Sequence, residues 1–167
     1  MPYPIADDPV NVHEDIQALA EQLDSVLPSL GLAYFSQEVR NESGTNISKG
    51  DPVYISGYSS GESKILVAKA DSDDLSTFPV IGLAETNMAD STNGTVVLSG
   101  VFSDISTVSF SAGDILYVAS GGGLTATQPA AGSGAVGVVA KSDVFGVIIV
   151  GQPKGNGTWG SLKAGLA

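Results

Sequence analysis

The sequence predicts a mainly β fold: a single antiparallel or mixed β-barrel or β-tulip-like body with a weak internal pseudo-repeat, preceded by an extended arm and a short amphipathic helix. Three observations predict it. Short segments rich in β-branched and aromatic residues follow one another from Tyr34 to Val150, separated by Gly, Ser, Asn and Asp turns. The strand opening "SKGDPVYISG" at Ser48 returns as "SAGDILYVAS" at Ser111. A helical period of useful length occurs only between Asn11 and Leu30.

Three Pro residues, Pro2, Pro4 and Pro9, favour an extended arm at the start of the chain. "NVHE" then places Asn11 three residues before Glu14, a capping-box-like helix start. Val12, Ile16, Leu19, Leu23, Val26 and Leu30 follow at alternating spacings of 4 and 3, an a/d seam. Pro28 stops the regular helix after about 16 residues, near the lower limit for a helix that must persist alone. Such a helix needs a partner. Its own barrel and a symmetric bundle in an oligomer both supply one, and the narrow seam with continuous polar flanks favours the bundle. Val12, Ile16, Leu19, Leu23 and Val26 are therefore the candidate oligomerisation residues.

The strand segments are Tyr34–Val39, Pro52–Ser56, Lys64–Ala68, Val80–Glu85, Gly94–Phe102, Asp114–Ala119, Gly123–Thr127, Ala135–Ala140 and Phe145–Val150. No helical pattern lies between them, which argues against βαβ units and for an all-β body. The echo runs beyond its opening. "SKGDPVYI", "FPVIGLAE" and "NGTVVLSG" are answered in the same order by "SAGDILYV", "GAVGVVAK" and "VFGVIIVG". The spacing drifts, so this is pseudo-symmetry within one sheet and not a solenoid period. Gly50 and Gly113 are assigned to relieving turn strain, Asp51 and Asp114 to bonding local backbone N–H groups, and Gly82 and Gly137 to bulges or close corners. The division is residues 1–30 as arm and oligomerisation or partner-contact helix, 31–151 as the β-body, and 152–167 as a flexible tail.

Composition narrows the function. The 167 residues suffice for one core, with 43% apolar and only 15% charged residues. Eighteen acidic against seven basic residues give a net charge of −11. That balance argues against direct binding of nucleic acid or anionic membranes, which need basic stripes. With no Cys, disulfides and thiolate metal clusters are excluded. "MPYPIADDPVNVHED" lacks the basic and apolar regions of a signal peptide, and no segment has the length of a membrane span, so the chain reads as an intracellularly made soluble protein.

Catalytic vocabulary is sparse. His13 is the only His, reads as a partly exposed helical residue, and is joined by no G-x-S-x-G elbow. "DSDD" at Asp71–Asp74 could attract Ca²⁺, but it lacks the full loop pattern and its terminal Glu, so an acidic solvated turn is favoured. Neither "SGGG" at Ser120 nor "GQPKGNGTWG" at Gly151 fits a phosphate loop. Trp159, the only Trp, is a candidate interface anchor that docks on a neighbour or on its own barrel. No catalytic, metal or cofactor residue is assigned.

The runs "VRNESGTNISKGDPVYISG", "VAKADSDDLSTFPVIGLAE", "GTVVLSGVFSDISTVSFSAGDILYVAS", "GGLTATQP" and "GAVGVVAK" together resemble a module common in tailed-bacteriophage virion proteins. It is similar to small capsid cement or decoration proteins and to β-modules of tail fibres, over about Val39 to Val150. The resemblance implies a noncatalytic structural protein, a homotrimer, made in the host cytoplasm and attached to the outer surface of the capsid through the major capsid protein. The alternative it implies is a short tail-fibre or head-fibre component that binds host surface glycans. The segment "YPIADDPVNVHEDIQALAEQL" resembles stretches that precede fibre modules, whereas the small size favours decoration.

Overall fold

A computed structural model describes residues 35–130 and 134–151. All nine expected strand segments are strands: β1 (Phe35–Asn41), β2 (Pro52–Ser59), β3 (Lys64–Lys69), β4 (Val80–Ala84), β5 (Thr92–Ile105), β6 (Ile115–Val118), β7 (Leu124–Thr125), β8 (Ala135–Lys141) and β9 (Gly146–Val150). β-branched residues recur in every strand, and the intervening Gly, Asn, Asp and Ser take up the turns.

The strand order is β1-β3-β2-β4-β5-β9-β8-β6-β7, with β1 also paired to β5. β1 and β3 run parallel and the other pairs antiparallel, so the sheet is mixed. The fourteen-residue β5 links two parts. Phe35–Asn41 and Leu83–Ala84 pair with its first portion, and β9 pairs with its last portion from Gly100 onward.

The single barrel expected from the sequence is corrected by this order. The nine strands do not close on one another: the order ends at β7, a two-residue strand bonded only to β6. Closure of all nine would require β7 to pair with β1, which instead takes β3 and β5 as its two neighbours. Gly121, Gly122 and Gly123 all adopt positive φ just before β7, and only two residues remain extended. The amphipathic helix and coiled coil find no support either. Among the described residues the only helical segment is a 3-10 turn at Leu75–Thr77. The expected arm, the seam residues Val12, Ile16, Leu19, Leu23 and Val26, and the tail with Trp159 lie outside the described residues.

Two apolar clusters hold the body. Val39, Ile47, Val53, Val67, Ala84, Met88 and Val96 pack together between β1 to β5 and the loops beside them. The other cluster joins Leu83 and Val97 to Phe102, Leu116, Val139, Ile148 and Val150. Leu83 and Val97 belong to β4 and the first portion of β5. The β5–β9–β8–β6 sheet therefore lies with its inner face on the outside of the β2–β4–β5 sheet.

Candidate interaction surface

The Gly-Asp openings are built alike, bond for bond. Asp51 N–H donates to Ser48 O at 3.0 Å, and the Asp51 carboxylate accepts from Ser48 N–H at 2.9 Å. Asp114 N–H donates to Ser111 O at 3.1 Å, and its carboxylate accepts from Ser111 N–H at 2.8 Å. Gly50 and Gly113 sit at φ +89° and +92°, a conformation that a side chain resists. Each donates its N–H across to the next strand of its half, Gly50 to Ala84 O and Gly113 to Val139 O. Both carboxylates are thus occupied in closing turns.

The correspondence continues into the sheets. Val53 faces Gly82 and Leu116 faces Gly137, and each pairing shifts by one residue before Tyr54 or Tyr117. At both glycines the neighbouring strand comes too close for a side chain. A Cβ would meet Val97 O at 2.0 Å from Gly82, and Ile149 O at 2.5 Å from Gly137.

The other singled-out residues also serve local structure. The Asp71 carboxylate accepts from the N–H groups of Asp73 and Gly121, both at 2.9 Å, while Asp73 accepts from Ser120 Oγ. Asp74 caps the 3-10 turn, and the Ser76 hydroxyl and N–H it accepts hold its carboxyl below the usual value. "DSDD" therefore ties the Ser120–Gly123 turn to the body. Asn41 is buried, donates to Thr45 O and Met88 O, and accepts from Ser43 N–H. Its amide is a structural clamp.

A general acid needs a carboxyl pushed up toward neutrality. Asp74 and Asp143 are instead both pushed down, Asp143 by the Phe145 N–H and then by Lys141. No group of three or more metal-ligating side chains occurs among the described residues. A depression of about 190 Å³ lies beside Lys49, Glu85, Phe102 and Asp104, with the Lys49 ammonium 5.5 Å from the Phe102 ring centre.

What the surface offers instead is apolar area. Val101, Ile149, Val138 and Ile115 stand opposite one another in register across β5, β9, β8 and β6. Three of them are substantially exposed: Val101 at 40%, Ile149 at 52% and Ile115 at 40%. A further group, Val108, Val144 and Phe145, is exposed where the loop after β5 meets the β8–β9 hairpin, Thr107 N–H donating to Asp143 O at 2.9 Å. Sequence reasoning missed both. Runs such as "VIIV" are apolar on both faces of the strand, and that two-sided character was the available signal.

Residues 36–146 match the family model described as phage cement protein. The chain belongs to the phage cement protein family. It is a structural component of a phage virion and not an enzyme, in line with the resemblance read from its sequence. Among solved structures it is similar to the one titled "The crystal structure of head fiber gp8.5 N base in bacteriophage phi29". That similarity has 14% identity and a TM-score of 0.45, and covers 71% of this chain and 95% of that one. No curated protein matches the chain.

Proposed function

We propose that the protein is a capsid cement or decoration protein: it binds the major capsid protein from outside, as a homotrimer, and stabilises the shell. The observation that carries this reading is the cement-family match across nearly the whole described body. The exposed tip of Val108, Val144 and Phe145 supports it by offering a compact apolar contact. The first half has a different tip in the same position. Its β4–β5 connection, "ETNMADS", is polar apart from Ala89 and Met88, and Met88 is buried. The tip of the second half is thus an addition to the repeated frame, and we assign it to the shell.

The test is rebinding to capsids depleted of the protein. Wild-type protein is expected to rebind and to raise the temperature at which the shells open, while Phe145→Asp with Val144→Asp binds at least about tenfold more weakly, the loss of a buried aromatic anchor. Wild-type protein that leaves the capsids untouched contradicts the reading. Location in tails or fibres, with binding to host glycans, would put the fibre alternative in its place.

A further inference from the structure

The outward row of the second sheet has a counterpart in the first, and the counterpart is covered. Val53 opposite Gly82 answers Leu116 opposite Gly137, so Pro52 and Leu83 answer Ile115 and Val138. Leu83 pairs with Val97 as Val138 pairs with Ile149. Pro52–Leu83–Val97 and Ile115–Val138–Ile149 are therefore the same row written twice. In the first half, Leu83 is 0% and Val97 1% exposed, beneath the sheet face that carries Leu116, Val139 and Ile148. In the second half the row lies open and is lengthened by Val101.

We propose that the outer face of the β5–β9–β8–β6 sheet is where copies of this chain meet one another. The internal repeat is the first argument, because it shows what this row packs against: a β-sheet face of the same chain. Charge is the second. The protein carries −11, so two copies repel at most approaches, yet the row contains no charged residue. Area is the third. Four strands about 4.8 Å apart and about 17 Å long give a footprint on the order of 300 Å². A standard interface buries about 800 Å² per partner, so this face alone predicts a weak, concentration-dependent association that further contacts would extend. The inference deepens the trimer in the proposed function and rests on it.

The experiment is sedimentation of the full-length protein across concentration at low and high salt, with Ile149→Asp and the β-compatible pair Val101→Thr with Ile149→Thr. Association is expected to rise with concentration. It is also expected to strengthen with salt, since screening relieves repulsion between like-charged copies. Both variants should associate at least about tenfold more weakly while keeping the β-sheet signature, because these side chains lie outside the core. The Thr pair keeps the test valid if the Asp variant fails to fold.

A protein monomeric at every concentration and salt overturns the inference, as does an oligomer that both variants leave intact. A monomer that loses capsid binding on Ile149→Asp would assign the face to the shell. A monomer that binds an apolar dye only after removal of residues 152–167 would assign it to the chain's own tail. Either result also overturns the proposal. Self-association through this face without any capsid binding leaves the inference standing and removes the cement role; capsid binding by a monomer leaves the cement role and overturns both the homotrimer and the inference.

Discussion

The two Gly-Asp turns share a backbone and its cross-strand bonds and differ in what packs around their side chains. Asp51 is nearly buried and its carboxylate also holds Lys69 Nζ at 2.8 Å; Asp114 is half-buried, and no ion pair to it is among the salt bridges of the described residues. Gly50 is buried against Ile105, whereas Gly113 faces open space. Local sequence therefore sets the turn, while position in the fold sets its energetic weight. Substitutions made in matched pairs can break or sharpen that distinction.

The largest effect is expected at the close approaches. Gly82→Ala and Gly137→Ala each force a methyl against a backbone carbonyl that cannot rotate away. Each is expected to cost about 3 kcal/mol or more, with Gly82→Ala the worse of the two because its carbonyl is nearer. Denaturant unfolding of both variants checks the magnitude and the order. Equal or negligible losses would mean that the sheets shift apart freely.

Gly50→Ala and Gly113→Ala come next. Both pay about 1–2 kcal/mol for the left-handed backbone. Gly50→Ala must also displace the Ile105 side-chain end, 2.1 Å from the new methyl, and so should be the more destabilising. Thermal melts of the two proteins decide it, and Gly113→Ala the costlier would break the comparison.

Asp51→Ala and Asp114→Ala each remove a carboxylate bond to a Ser N–H, worth about 1–2 kcal/mol. The first also strands Lys69, adding up to about 1 kcal/mol. A double-mutant cycle with Lys69→Met should give a measurable coupling to Asp51 and none to Asp114.

The smallest expected effect is a pH dependence. Asp74 and Asp143 have folded values below their ordinary ones, because N–H and O–H donors favour the charged form. Each thus contributes stability that is fully present above the unfolded value, about 3.9, and is lost as pH falls through the folded value. Both groups are solvent-exposed, so the loss below about pH 4 is slight. Asp143→Asn should flatten the acid limb of the melting curve; an unchanged limb would remove Asp143 from the account.

Much of the body was legible in the sequence because its code is local. Gly-Asp before an apolar alternation fixed the turns, and β-branched runs between polar turns fixed nine strands. Closure was not legible, since it depends on which strand β1 takes as its second neighbour, and that strand is β5 and not β7. Nor was the covering of faces. "VVLSGVF" and "GVIIVG" are apolar on both sides, and only the stacking of one sheet on the other buries Val97 and leaves Ile149 open. The proposed interaction surface lies in that non-local difference, so no motif announces it.

The measurement that tests the central claim most directly is cryo-imaging of intact phage particles carrying this protein with a label. Density at regular positions on the outer capsid surface, lost when the protein is stripped, is the result expected of a cement protein. Label confined to tails or fibres, with an unoccupied capsid surface, would contradict it.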